Sequence, residues 1–91
     1  MLTYRATTQF RRDYKKAKKQ GRNINLAQQV IRMLLARQPL EQKYRDHPLV
    51  GNYKGCRECH IKPDWLLIYR IDDDNDRLVA ERLGSHSELF D

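Results

Sequence analysis

Trp65-Leu66-Leu67-Ile68-Tyr69-Arg70-Ile71 is the stretch that decides the fold. It is apolar except for Arg70, and turn residues bound it on both sides. Such a run reads as a buried strand, and a strand with so little polar surface belongs in the centre of a sheet. On its N-terminal side Lys62-Pro63-Asp64 makes a tight turn. Before that turn, a strand is predicted over roughly Tyr53 to Ile61. On the other side, Asp72-Asp73-Asp74-Asn75-Asp76 is a polar turn leading to a last strand, Leu78 to Leu83. Gly84 to Phe90 is left as a short tail with about one helical turn.

The first half reads differently. Leu2, Tyr4 and Ala6 alternate with Thr3, Arg5 and Thr7, the period of a short strand. Thr7 or Thr8 can cap a helix whose stripe is Phe10, Tyr14 and Ala17, and Gly21 stops it. Asn23 can cap a second helix with the face Ile24, Ala27, Ile31, Leu34 and Leu35, ended by Pro39. Residues 38–51 read as a connection, punctuated by Pro39, Pro48 and Gly51. The order is therefore β-α-α-β-β-β in a single domain, residues 1–91. Helices and strands that do not alternate imply an α+β fold. Two helices can cover one face of the sheet, which leaves the other face open as a polar binding surface.

The chain has 91 residues, a third of them charged, and a net charge of +6. The charge is uneven: residues 1–22 hold eight Lys/Arg and one acid, Asp13, whereas residues 23–91 balance at −1. A local basic surface attracts nucleic acid or an acidic protein segment, although a charged helix face can also serve solubility alone. No apolar run approaches a membrane span, and Met1-Leu2-Thr3-Tyr4-Arg5 lacks a signal-peptide layout. A cytoplasmic location with reduced thiols at Cys56 and Cys59 is expected.

The three histidines, His47, His60 and His86, all lie in the second half. RNA can be cut without a metal or cofactor by a base for the 2′-hydroxyl, an acid for the departing 5′-oxygen and a cation for the phosphorane. Histidine suits the first two roles and arginine the third. Exposed aromatic rings can hold splayed bases. The turn at 62–64 would bring His60, Asp64 and Trp65 together, and a meander could carry Arg82 and His86 to the same edge. Spacing alone leaves other readings open. Three scattered histidines can be ordinary surface residues, Trp65 can be core, Asp64 can be a turn residue, and Arg82 can simply pair with Glu81 or Glu58.

Cys56-Arg57-Glu58-Cys59-His60 matches the C-x-x-C-H pattern of covalent haem attachment. That chemistry belongs to exported chains, and the motif sits in an apparent strand with no haem pocket around it. Zinc is disfavoured as well: there is no second Cys pair, and Cys59 and His60 should point to opposite faces of a strand.

Taken in order, Asp46-His47-Pro48-Leu49, Gly51, Lys54-Gly55, Arg57, His60, Pro63-Asp64-Trp65, Ile68-Tyr69, Arg82, Gly84, His86 and Leu89-Phe90 form a pattern. It resembles the YafQ branch of the RelE toxin superfamily across about half the chain. The resemblance implies a RelE-like fold, a small curved, mainly antiparallel sheet with two helices packed on one face. It implies a ribosome-dependent endoribonuclease that cuts mRNA, and a cognate antitoxin that silences it. The family's catalytic positions fall on His47, His60, Asp64, Arg82 and His86, and its substrate-binding positions on Trp65 and Phe90. Arg82 would stabilise the phosphorane, and His86 would serve as acid or base. His60 or Asp64 would be its opposite partner, and His47 would bind phosphate or share the proton transfer. Lys15, Lys16, Lys18 and Lys19 would dock on ribosomal RNA or on acidic antitoxin residues. The superfamily fold also serves toxins that inhibit a protein target without cutting RNA, which remains the alternative.

Overall fold

The computed structural model describes residues 1–90. Its elements are β1 (Thr3–Ala6), α1 (Thr8–Lys19), α2 (Ile24–Leu35), β2 (His47–Pro48), β3 (Arg57–Lys62), β4 (Trp65–Asp72), β5 (Arg77–Gly84) and α3 (His86–Phe90). They build one five-stranded sheet in the order β1-β5-β4-β3-β2. The decisive run, β4, is indeed the middle strand. Only the β1–β5 pair is parallel; the other three are antiparallel.

The helices form where their signals lie. Thr7 caps α1, its side chain accepting from the Phe10 N–H at 3.0 Å. Gly21, at φ +77°, takes the left-handed conformation that lets the chain leave α1. Phe10 and Ala17 of α1, with Ala27, Val30, Ile31 and Leu34 of α2, pack on one sheet face against Cys59, Ile61, Leu67, Tyr69, Leu78, Ala80 and Leu83. The α2 helix stops at Leu35, ahead of Pro39, because Arg37 at φ 56° has already left the helical region.

Three expectations need correction. The strand predicted from Tyr53 begins only at Arg57, because Gly51–Tyr53 is a 3₁₀ turn and Gly55 sits at φ +90°. The connection 38–51 is more ordered than its Pro and Gly suggest, with a 3₁₀ turn at Gln42–Tyr44 and the two-residue edge strand β2. The second sheet face carries polar side chains, as expected, but part of it is covered. Leu66 and Ile68 are buried there beneath Leu89 of α3, with Leu49, Tyr53 and Cys56 packed around them. That small second core fixes α3, and with it His86, to the sheet. Among the described residues no helix is long and apolar enough to cross a membrane.

Candidate active site

The site lies on this second face, at the end where β2, β3, the β3–β4 turn and α3 meet. Register puts it there. His47 pairs with Glu58 across β2–β3, and Glu58 with Ile68 across β3–β4. Ile68 pairs with Arg82 and Leu66 with Gly84 across β4–β5. Residues two apart on a strand share a face, so Glu58 and His60 project together.

The three histidines form a row. The His47 and His60 rings lie 6.4 Å apart between centroids, and the His60 and His86 rings 5.6 Å. At one end, His86 Nδ1 lies 2.6 Å from Asp64 Oδ1, and its backbone N–H donates to the same oxygen at 3.0 Å. These two bonds, backbone first, hold the Asp64 carboxyl below its ordinary range. An Nδ1–H given to Asp64 leaves His86 Nε2 free to exchange a proton with a substrate.

At the other end stands a residue that sequence reasoning missed. Glu58 is buried, and its Oε2 lies 2.7 Å from His47 Nε2 and 3.8 Å from His60 Nε2. Its Oε1 is buried with no hydrogen-bond partner among the described residues, a costly state for a carboxylate. The available signal was period two: Glu58 precedes His60 by two on a strand, so both must face the same way. His47, Glu58 and His60 offer ligand atoms all within 4.8 Å of one another. Two imidazoles and a carboxylate suit a zinc, copper or nickel ion. Cys59 is excluded from that group, because it lies fully buried on the helix-covered face. Burial, the dominant cause, raises the thiols of both Cys56 and Cys59 above their ordinary value.

Two expected site residues stand apart from this row. Trp65 is only 1% exposed and belongs to the helix-side core, with the Arg22 guanidinium 5.4 Å from its ring centroid. Its faces are not available to a base, so the stacking role expected for it is withdrawn. Arg82 touches no histidine directly. Its Nη1 donates to Tyr53 Oη at 3.4 Å. The Tyr53 ring meets Phe90 edge-on at 5.6 Å, and Phe90 lies 6.4 Å from His86. Arg82 pairs with neither Glu81 nor Glu58 but with Asp13, at 2.8 Å. Phe90 is 45% exposed, so part of its ring is open to a ligand. On α1, Lys15, Lys18 and Lys19 are exposed, while Lys16 reaches Glu88 of α3 at 2.7 Å.

Residues 2–91 match the family described as "Bacterial toxin of type II toxin-antitoxin system, YafQ". The chain belongs to the YafQ toxin family. The "mRNA interferase toxin YafQ" of Escherichia coli (strain K12) is 40% identical over 83 residues, 90% of this chain and 88% of that protein. Among solved structures, a metal-bound toxin from Helicobacter pylori is 48% identical with a TM-score of 0.93, covering 99% of this chain and all of that one. The E. coli DinJ–YafQ complex is 36% identical with a TM-score of 0.91, and covers both chains in full. The α+β fold and the family read from the sequence thus stand. The YafQ family is one of toxins paired with antitoxins, which gives the histidine row its context.

Proposed function

We propose that this chain cuts messenger RNA by acid–base catalysis through attack of the 2′-hydroxyl, on the ribosome and in the cytoplasm, and that a cognate antitoxin silences it. The observation that carries this reading is the histidine row with differently held ends: His86 is oriented by an exposed carboxylate, and His47 and His60 converge on a buried one. Separate environments are what distinct acid and base roles require.

In this scheme His60, with His47 beside it and Glu58 behind both, takes the proton of the 2′-hydroxyl. The 2′-oxygen then bonds to the adjacent phosphorus, and the bond from phosphorus to the 5′-oxygen breaks. His86 Nε2 gives its proton to the leaving 5′-oxygen. Asp64 is a positioning residue for His86 and does not itself relay the proton. Arg82 faces the charge that grows on the phosphorane, and Phe90 offers a ring to a neighbouring base. The names of the relatives favour cleavage over the alternative of a non-cutting inhibitor of a protein target. The test is cleavage of a defined message in a reconstituted translation system. His86→Ala and Arg82→Ala should each abolish it in a folded protein, and full cleavage by either variant removes that residue from the scheme.

A second reading concerns metal, favoured by the donor set His47, Glu58 and His60 and by the metal-bound relative. A divalent ion held there would occupy the imidazole lone pairs that proton transfer needs. We infer that such an ion inhibits cleavage.

A further inference from the structure

The single acid among the first 22 residues, Asp13, sits in a helix otherwise studded with Lys and Arg. Solubility does not call for it, and an RNA-docking surface would be better without it. Its carboxylate is turned away from solvent, with its side chain 13% exposed, and is tied to β5 by three hydrogen bonds. Oδ2 accepts the Arg82 Nε–H at 2.8 Å and the Leu83 backbone N–H at 3.0 Å. Oδ1 accepts from Arg82 Nη2 at 3.3 Å. The backbone bond fixes the carboxylate to the strand that carries Arg82. The other two grip one edge of the guanidinium.

A guanidinium has five N–H groups. Two go to Asp13 and one to Tyr53 Oη. Among the described residues one N–H on Nη1 and one on Nη2 have no partner, and both can donate to phosphate oxygens. A long arginine side chain loses much rotamer freedom when it is held this way, and catalysis gains when that ordering precedes substrate binding.

We propose that Asp13 is a positioning residue that orients Arg82 towards the scissile phosphate. This rests on the reading that Arg82 stabilises the phosphorane. Arg82 is the only side chain that Asp13 bonds among the described residues, so an effect exerted through it should vanish when Arg82 is absent. A residue serving stability alone would not behave so.

The test uses the full chain in single-turnover cleavage of a defined message, varying toxin concentration to separate the saturating rate from half-saturation. Asp13→Asn should lower the saturating rate about 10–100-fold, the scale expected when a catalytic group is misplaced by an ångström, with half-saturation unchanged. Asp13→Glu should restore most of that rate. The double variant Asp13→Asn with Arg82→Ala should be no slower than Arg82→Ala alone. A full rate for Asp13→Asn, or losses that multiply in the double variant, would overturn the proposal. A fully active Arg82→Ala would instead overturn the reading beneath it. If Asp13→Asn does not fold, the wild-type protein decides by nitrogen NMR. An Arg82 Nε–H protected from solvent exchange at neutral pH supports the proposal, and one that exchanges freely overturns it.

Discussion

Glu88 holds α3 in place, and replacing it with glutamine should weaken the protein in a pH-dependent way. Its Oε1 accepts the Ser85 backbone N–H at 2.8 Å, while Ser85 Oγ accepts the Glu88 N–H at 3.2 Å, the reciprocal pattern of a capping box. Its Oε2 meets Lys16 of α1 at 2.7 Å. The Lys16 contact first, and the Ser85 bond second, bring the Glu88 carboxyl from an ordinary 4.5 down to about 2. That difference sets a ceiling of about 3.4 kcal/mol. Lys16 is 60% exposed and Glu88 26%, so solvent screening leaves about 1–1.5 kcal/mol. Glutamine keeps an oxygen for Ser85 but loses the charge. At pH 7, Glu88→Gln should therefore lower the melting temperature by about 5–10 °C for a domain this size. The folded value lies below the unfolded one, so this stability is complete above about pH 4.5 and lost as pH falls towards 2. Thermal unfolding followed by circular dichroism at pH 7, 5, 4 and 3 provides the assay. The wild-type advantage should shrink steadily below pH 4.5. An advantage that stays constant down to pH 3, or no difference at pH 7, would refute the reasoning.

Tyr69 is buried, and its hydroxyl donates to Asp46 Oδ1 at 2.6 Å, beside the Arg57–Asp46 pair at 3.4 Å. Burial first, and Asp46 second, push that hydroxyl far above its ordinary range. Tyr69→Phe should cost about 1.5 kcal/mol in chemical denaturation, the lower end for a bond to a charged acceptor, because Asp46 keeps Arg57. It should also slow cleavage, since Asp46 anchors the segment that carries His47; unchanged stability would contradict the first point. Leu66 is fully buried under α3, so Leu66→Ala should cost about 2–5 kcal/mol, and a loss under 1 kcal/mol would show the second core to be slack. Zn²⁺ added to the protein should shift the ring resonances of His47 and His60 before those of His86, and EDTA should reverse both this and the inhibition of cleavage. Equal shifts of all three rings would argue against the His47–Glu58–His60 site.

Much of this architecture was legible because its signals are local. The apolar run of β4, the cap at Thr7 and the left-handed stop at Gly21 each follow from a few neighbouring residues. The covered second face was not legible, because Leu66, Ile68 and Leu89 meet only through tertiary packing, and Leu89 lies in a helix of five residues. The histidines carried a family pattern, but their row depends on strand register. The roles of Glu58 and Asp13 were not legible for a related reason. A buried carboxylate and a surface one look the same in sequence, and only the partner brought across β5 shows that Asp13 grips Arg82. Trp65 misled in the opposite direction: its place in the Pro63-Asp64-Trp65 pattern suggested a base platform, whereas alternation on β4 sends it into the helix-side core.

The chemistry of the cut ends tests the central claim most directly. Messages cleaved by the purified chain in a reconstituted translation system can be examined for the groups left on each side of the break. Attack by the 2′-hydroxyl, with protons moved by the histidine row, leaves a 2′,3′-cyclic phosphate on one fragment and a 5′-hydroxyl on the other, and His86→Ala should yield neither. Fragments ending in a 3′-hydroxyl and a 5′-phosphate would contradict the account.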